Sequence, residues 1–443
     1  MVVAVLTTLF PLQSHPQSEV DASTLQAKIL VGYQAWFTTP GPGRSERWIH
    51  WTHQHDVPTG DPGNLAVEMY PDLREFESDE LIPTRMTLGR EPAPLYTASH
   101  PKTVQRHARW MREYGIDGAF VQRFLRSHAG SDQDYAKQLD RALWNFREAC
   151  AAEGRVFAVM YDVSGMRETE DWRTLLKNDW TALVDTGLTK GGRYLHHQGR
   201  PVVGLWGFGF RDRVPEKPAQ ALEMINWFKE AAPEPYRACV LGGVPGQWRT
   251  LDGDSRQAPG WSKVYRAFDV VSPWTVGRFT SRQDADQWNQ KHTLPDLALL
   301  KKTGQAYAAV VWPGFSWKNL NGGSANQIPR EGGRFFWRQI YNAKKAGVST
   351  LYVAMFDEVD EATAIYKVAE NRTQVPDQGF WLTLDADGQT LPSDWYLRLA
   401  REAGRMLRRE TALEAEPDFL RPPKKVSEAP ATTPPDKARQ QDP

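Results

Sequence analysis

The sequence has little cysteine, no excess of either charge and no long apolar run. Its two cysteines, Cys150 and Cys239, each lie in an apolar context, which favours buried free thiols over a disulfide framework or a metal site. Lys and Arg number 54 and Asp and Glu also number 54, which argues against a nucleic-acid-binding protein that relies on a general positive field. No stretch of about 18 apolar residues occurs, so no membrane-spanning segment is predicted.

Aromatic residues are abundant by contrast. The 443 residues include 18 Trp, 14 Tyr and 18 Phe, and many of the Trp lie at the ends of apolar runs. Aromatic side chains placed where a strand meets a loop stack well on the apolar faces of sugar rings. The alternative is that they pack in the core, and the composition by itself leaves both interpretations open.

The two ends of the chain differ from the rest. Residues 1–27 begin with the apolar run MVVAVLTTLF, which lacks a basic n-region. It is either a remnant of a secretory signal or an apolar, poorly ordered leader. The first interpretation predicts a secreted, periplasmic or cell-surface protein. Residues 414–443 are rich in proline and charge, and we predict that they form a disordered tail.

Between these ends, residues 28–413 alternate between buried-strand and helix patterns. Eight near-continuous apolar runs, most of them followed by a helical pattern that ends at a glycine, predict parallel strands covered by helices on both sides. The predicted strands are Lys28–Phe37, Ile116–Phe124, Arg155–Val163, Pro201–Phe208, Ala238–Gly243, Asp269–Trp274, Tyr307–Trp312 and Ser349–Phe356. Eight such units predict an α/β fold of the (β/α)8 TIM-barrel type, a single domain with long βα loops. A doubly wound open sheet is the alternative, but no glycine-rich nucleotide-binding motif follows any strand.

Functional residues of such a barrel lie where its strands end. These positions collect aromatic rings, amides, a guanidinium and carboxylates, which suit a polyhydroxylated neutral ligand better than a phosphate. The candidates for binding an oligo- or polysaccharide are Tyr33, Trp36, His50, Trp51, Gln122, Arg123, Tyr161, Asp162, Trp206, Trp274 and Trp312.

Some of these candidates have a second interpretation. The three tryptophans that end strands four, six and seven form either sugar platforms or core. Arg123 binds substrate or pairs with acids inside the barrel opening, and Asp162 accepts a sugar hydroxyl or stabilises a turn. No acid or cysteine near His50 completes a ligand set, so neither a metal nor a cofactor is predicted.

The segment after the eighth predicted strand, MFDEVDEATAI, holds four acids in five positions: Asp357, Glu358, Asp360 and Glu361. Like charges this close raise the pKa of at least one carboxyl group. A raised and an ordinary carboxyl group side by side are what glycoside cleavage requires. The acids could instead cap the start of a helix, or bind Ca²⁺, although the frame of a calcium-binding loop is absent.

The chain resembles glycoside hydrolase family 99 and its 71/99-like neighbours. The similarity runs through VGYQAWF, WIHWTH, YGIDGAFVQRF, VMYDVSG, VVWPGFSW and FDEVDEATAI. Known members of that family are (β/α)8 barrels that act as endo-α-mannosidases and α-mannanases. Their last strand leads into a motif N-E-W-H-E-G-T-Q-I, and this chain reads D-E-V-D-E-A-T-A-I there.

Both glutamates of the motif are present. The resemblance implies that Glu358 acts as a base on the sugar 2-hydroxyl and that Glu361 is the general acid/base of a retaining glycosidase. The Trp and His of the family motif are Val359 and Asp360 here, which alters the wall of the sugar pocket. A catalytically silent barrel that only binds glycans is therefore the alternative function.

Overall fold

The computed structural model describes residues 19–41, 47–130 and 132–420. Most of the predicted leader and most of the predicted tail lie outside these residues, so both remain predictions. The strands, in chain order, are β1 Lys28–Tyr33, β2 Leu81–Leu88, β3 Glu91–Tyr96, β4 Gly118–Phe124, β5 Val156–Asp162, β6 His196–His197, β7 Arg200–Trp206, β8 Cys239–Val244, β9 Val270–Pro273, β10 Ala306–Val311 and β11 Thr350–Val353.

Eight of these strands form a closed parallel barrel. Strand β1 pairs with β4 and with β11, and the parallel pairs continue from β11 through β10, β9 and β8 to β7. The ring closes because β7 also pairs with β5, and β5 pairs with β4. The predicted (β/α)8 barrel is thus confirmed, with one strand for each of the eight predicted runs.

Two of the barrel strands, β1 and β11, end well before the predicted runs do. Strand β1 ends at Tyr33 rather than at Phe37, and β11 ends at Val353 rather than at Phe356. The residues that follow these two strands leave the sheet. They surround the opening of the barrel at the carboxyl ends of the strands, and we call this opening the mouth. Inside, a Cβ atom at Gly32 would come within 2.4 Å of the Met355 and Tyr352 side chains, so only glycine fits the filled barrel there.

Helices surround the barrel. They are α1 Pro101–Glu113, α2 Leu125–Ala129, α3 Gln133–Glu153, α4 Trp172–Asp185, α5 Pro218–Asn226, α6 Trp261–Ala267, α7 Arg282–Trp288, α8 Leu294–Thr303, α9 Lys318–Asn321, α10 Arg334–Lys345 and α11 Trp395–Leu407. The sequence signals set their ends: the Asp132 carboxylate accepts the backbone N–H of Tyr135 at the start of α3, and Gly154 ends that helix with φ +63°.

The loop after β1 holds structure that the sequence did not predict. Strands β2 and β3 form an antiparallel hairpin with an irregularity between Pro83 and Thr87. Proline is unusual in strands, which hides this hairpin from a search for regular alternation. Just before β2, both oxygens of the buried Glu80 carboxylate accept hydrogen bonds from Arg106 of α1, which fixes the hairpin against the barrel helices.

Both cysteines are buried and free, as predicted. Among the described residues, no helix is long and apolar enough to cross a membrane.

Candidate active site

Four acids lie at the mouth directly after β11, and we call Asp357, Glu358, Asp360 and Glu361 the acidic cluster. Asp357, Glu358 and Asp360 expose 0%, 6% and 2% of their surface, whereas Glu361 is only half-buried. Glu361 is thus the carboxyl group most open to a ligand. The four acids follow an irregular segment and do not start a helix, so the expected alternative of helix capping does not apply to them.

Asp357 ties the last barrel strand to the first. One of its oxygens accepts the backbone N–H of Gln34 at 2.8 Å, and the other accepts that of Ala35 at 2.9 Å. Ala35 adopts φ +54°, a left-handed conformation that this pairing holds in place. Burial raises the pKa of Asp357 to about 7, although the two N–H groups oppose the rise. Asp357 therefore shapes the mouth and has no free oxygen for chemistry.

Glu358 is held by one donor on each oxygen. Its Oε1 accepts the side-chain N–H of Gln34 at 2.5 Å, and its Oε2 accepts the Thr363 hydroxyl at 2.5 Å. Burial raises the pKa of Glu358, and the nearby Asp360 and Asp357 raise it further, while the two donors lower it. Because both donors stabilise negative charge, they favour ionisation of Glu358 before that of Glu361.

Glu361, by contrast, tends to keep its proton. Burial raises its pKa well above the ordinary value, and the carboxylates of Glu358 and Asp360 raise it further. The Trp317 indole and the Arg213 guanidinium act in the other direction. A half-buried carboxyl group that retains its proton to a higher pH than the neighbouring Glu358 is suited to donate that proton to a ligand.

Asp360 is buried, and its two carboxylate oxygens differ in their surroundings. Its Oδ1 has no hydrogen-bond partner among the described residues, and its Oδ2 lies 3.5 Å from Nδ1 of His50. Burial lowers the pKa of His50 to about 3, so this histidine is neutral and supplies no balancing charge. Burial also raises the pKa of Asp360.

Replacing this acid should change how stability depends on pH. A carboxyl group whose pKa is raised on folding stabilises the fold at low pH, and this contribution is lost as pH rises through the folded pKa. We therefore expect Asp360→Asn to unfold like the wild type at pH 3.5, below the unfolded pKa of 3.8, and to be more stable by about 1–3 kcal/mol at pH 8. Urea titrations at the two pH values measure this difference. An equal change at both would contradict it.

Half-buried aromatic rings line the mouth around the cluster. Trp36 stacks on His50, with ring centroids 4.1 Å apart and planes 8° apart, and on Phe124 at 5.1 Å. Trp206 and Trp274 meet edge to face at 5.3 Å. These four predicted binding residues (Trp36, His50, Trp206 and Trp274) keep exposed surface, as a sugar-binding wall requires.

Three other predicted binding residues are core residues instead. Tyr33, Trp51 and Trp312 have no exposed surface. The Tyr33 hydroxyl bonds to His107 at 2.9 Å, the Trp51 indole N–H donates to the carbonyl of Tyr96, and Trp312 packs on Phe335 with centroids 4.8 Å apart. The prediction of ligand contact is corrected for these three, because each side chain points into packed protein.

The two predicted binding residues at the end of β4, Gln122 and Arg123, point to opposite faces of the sheet. The Arg123 guanidinium donates to Asp179 of α4 at 2.5 Å and to Asp140 of α3 at 2.8 Å. It faces the helices, so neither expected role, substrate binding or pairing with the acidic cluster, is correct. Gln122, one residue earlier, faces the barrel interior and donates to the Tyr352 hydroxyl at 2.9 Å.

The two predicted binding residues at the end of β5, Tyr161 and Asp162, also point to opposite faces of the sheet. The buried Tyr161 lies in register with Arg123, and its hydroxyl donates to Asp179 at 2.6 Å, so it too is corrected from ligand contact to structure. Asp162 is half-buried, and burial raises its pKa. Its Oδ1 accepts the backbone N–H of Ser164 at 2.7 Å, the turn role that was one of its two interpretations.

Three site residues were not singled out from the sequence. Gln34 and Thr363 hold Glu358, and Trp317 approaches Glu361. Gln34 follows a strand end and Thr363 is shared with the family motif, but nothing in the sequence shows that both point at the same carboxylate. Across the described ranges, no group of three or more His, Cys, Asp or Glu side chains could hold a metal ion.

The chain thus folds as a closed (β/α)8 barrel with an acidic, aromatic mouth. No family model matches the sequence, and no curated protein matches it. Solved structures do resemble it. One is the family GH99 endo-α-mannosidase of Bacteroides thetaiotaomicron, which is 16% identical, with 87% of this chain and 99% of that chain covered and a TM-score of 0.61.

The same enzyme in complex with bis-tris propane gives a TM-score of 0.62 at the same identity and coverage. A glycoside hydrolase-like protein is 14% identical over 88% of this chain and 97% of that chain, with a TM-score of 0.54. The resemblance to family 99 stated above is thus confirmed in the fold of the whole barrel. At these identities the likeness describes the fold, and the chemistry has to be argued from the residues.

Proposed function

We propose that this protein is a retaining glycoside hydrolase that acts on an α-mannoside-like glycan, with Glu358 and Glu361 as its catalytic pair. The observation that carries the proposal is the different setting of these two glutamates. Glu358 is buried and accepts a hydrogen bond on each oxygen, whereas Glu361 is half-buried and its pKa is raised by burial and, in addition, by the charge of Glu358. One fold region thus supplies both a base and an acid.

The proposed reaction follows from these settings. Glu358 takes the proton of the sugar 2-hydroxyl, and the resulting O2 attacks C1 as the bond from C1 to the leaving oxygen breaks. Glu361 donates its proton to that leaving oxygen. Glu361 then takes a proton from a water molecule that attacks C1 and opens the epoxide-like intermediate, while Glu358 returns its proton to O2. Two displacements at C1 retain its configuration, and both carboxyl groups end in their starting states.

Product analysis tests the proposal. Wild-type protein should hydrolyse an α-mannan or an activated aryl α-mannoside, and NMR of the first product should show the α-anomer before mutarotation. A β-anomer as first product would overturn the retaining mechanism. A screen of other α- and β-glycosides and polysaccharides in parallel defines the sugar.

A catalytically silent, glycan-binding barrel is the second candidate. The observation that favours it is the low exposure of Glu358, together with Val359 and Asp360 in place of the motif's Trp and His. Binding of a glycan without turnover of any glycoside in the screen would establish this alternative.

The aromatic wall gives a prediction under either function. Trp206→Ala should raise KM, or Kd where no turnover occurs, by about three- to tenfold, because the lost stacking contact is worth roughly 0.5–1.5 kcal/mol. kcat should change less, since such a contact forms equally in ground and transition states. The matched control is Trp312→Phe, which should leave KM unchanged and lower the melting temperature. A Trp206 variant with normal binding and lowered stability would assign this residue to the core.

The location of the protein is also part of the proposal. An enzyme that degrades glycans is expected to be secreted, periplasmic or at the cell surface, and the apolar first ten residues are the sequence feature that supports this. Fractionation of cells that produce the full chain tests it.

A further inference from the structure

A second cavity lies beside the mouth, between the loops that follow β7 and β8. Its volume is about 390 Å³, and its lining residues are Arg211, Glu216, Arg256, Gln257, Ala258 and Trp261. The two loops are joined by a backbone pairing of Phe210 with Ser255 and by a hydrogen bond from the Arg256 backbone N–H to the carbonyl of Gly209. The walls of the cavity are therefore held in place before any ligand arrives.

The lining has hydrogen-bond donors that lack acceptors. Trp261 has no exposed surface, yet its indole N–H has no partner among the described residues. The Nε–H of Arg256 is buried and equally unpartnered, and the exposed Arg211 forms no side-chain hydrogen bond or ion pair with any described residue. A buried donor without an acceptor costs roughly 1–3 kcal/mol, so a ligand that supplies acceptors would be favoured here.

The charge of the lining points in the same direction. Two arginines face one carboxylate, Glu216, which forms no ion pair with either of them. The lining residues therefore carry one net positive charge, and they offer three donor groups (Arg211, Arg256 and Trp261) beside the acceptor oxygens of Glu216 and Gln257. A ligand with one negative charge and some hydroxyl groups matches this set, because guanidinium groups bind carboxylates and sulfates with paired, charge-assisted hydrogen bonds.

The cavity is connected to the proposed active site. Arg256 Nη2 donates to the carbonyl oxygen of Arg213 at 2.9 Å. The Arg213 guanidinium lies over the Trp206 ring, 5.2 Å from its centroid, and donates to the Ser164 hydroxyl. The positive charge of Arg213 also lowers the pKa of Glu361. These contacts link the lining of the cavity to the side of the mouth where Trp206 lies.

We propose that this cavity is a binding site for the anionic group, a carboxylate or a sulfate ester, of an acidic saccharide unit. Arg211, Arg256 and the Trp261 indole N–H donate to the anion, and Glu216 and Gln257 bind hydroxyl groups. The idea that this saccharide unit is part of the substrate rests on the proposed function. Binding of an acidic saccharide in the cavity does not depend on that function.

The test measures binding without turnover, in the full chain that carries Glu361→Gln. The probes are methyl β-D-glucuronide, its neutral counterpart methyl β-D-glucoside, glucose 6-sulfate and inorganic sulfate, titrated at low ionic strength. The indole N–H signal of Trp261 in the NMR spectrum, assigned with Trp261→Phe, reports occupancy of the cavity. We expect at least one of the two acidic sugars to shift this signal and to bind about tenfold or more tightly than the glucoside, with binding that weakens as salt is added.

Arg211→Gln and Arg256→Gln should each weaken that binding by about tenfold or more. The matched control is Arg90→Gln, which removes the same charge from an exposed turn far along the chain and should change affinity less than twofold. Equal affinity for the glucuronide, the sulfated sugar and the glucoside would overturn the proposal, and so would equal losses in all three arginine variants. Inorganic sulfate that binds as tightly as both acidic sugars would overturn the saccharide part. Because no step is catalysed, these outcomes are independent of whether the glutamates act as proposed.

Discussion

Glu361→Gln is expected to lower kcat by about 10²–10⁴-fold on a glycoside with a poor leaving group, the usual range for loss of a general acid or base. The amide keeps the size of the side chain but has no proton to give to the leaving oxygen. The fold should survive, since Glu361 is half-buried and its ionised form is the one that the site disfavours. Steady-state kinetics with matched thermal melts measure both effects.

A comparison of substrates with good and poor leaving groups distinguishes an acid/base role of Glu361 from a structural role. An aryl glycoside with an acidic phenol needs little protonation, so its bond cleavage should be much less affected by Glu361→Gln. Azide, which attacks without base assistance, should restore part of the turnover. Near-full activity with good and poor leaving groups alike would show that the acid/base assignment is wrong.

The pH dependence gives a second signature of the same residue. The proposed acid must be protonated, and its raised pKa means that activity should persist to a higher pH than an ordinary carboxyl group would allow and then fall. Glu361→Gln should abolish this basic limb. Asp360→Asn removes a nearby charge that raises the pKa of Glu361, so it should move the limb to lower pH without removing it.

The sequence was sufficient to predict the barrel. Apolar runs buried on both faces and glycines that end helices, such as Gly154, are local signals that survive into the fold. Closure of the ring between β5 and β7 is not a local signal, but eight strands of this kind have few other arrangements. The β2–β3 hairpin was not predicted because its prolines disguise the strand pattern.

The mouth was predicted less well, for a reason that strand geometry supplies. Successive side chains point to opposite faces, so one residue decides whether a strand-end side chain enters the barrel or packs under a helix. Gln122 faces inward and Arg123 faces the helices, where its partners Asp140 and Asp179 come from elements distant in sequence. Tyr33 and Gln34 show the same contrast, and there the residue passed over holds the proposed base.

Glu358→Gln is expected to lower kcat as strongly, by about 10²–10⁴-fold, because the two donors hold the Glu358 carboxylate in place to accept the proton of the 2-hydroxyl. The site can accommodate the amide. The side-chain oxygen of Gln34 has no partner in the part of the chain that the structure describes, and the Thr363 hydroxyl can reverse its role, so both present donors can become acceptors. Stability should therefore change little.

Glu153→Gln is the matched control for this substitution. The Glu153 carboxylate also accepts one side-chain donor on each oxygen, from Gln105 at 2.6 Å and from Arg112 at 2.5 Å, but it lies at the end of α3 away from the mouth. Its replacement should affect stability and leave kcat unchanged. A similar loss of kcat in both variants would assign the effect of Glu358→Gln to the fold.

A substrate that lacks the 2-hydroxyl distinguishes the proposed base from a nucleophile. If Glu358 acts on that hydroxyl, the wild type should cleave the 2-deoxy glycoside as slowly as the Glu358→Gln variant cleaves the parent glycoside. The Glu358→Gln variant should then cleave the 2-deoxy glycoside almost as fast as it cleaves the parent glycoside. The variant and the 2-deoxy substrate each remove the same interaction, one from the enzyme and the other from the sugar. If Glu358 instead attacked C1 directly, the wild type would still turn over the 2-deoxy glycoside, and the variant would lose activity on both substrates. The four rate constants of this cycle decide between the two chemistries.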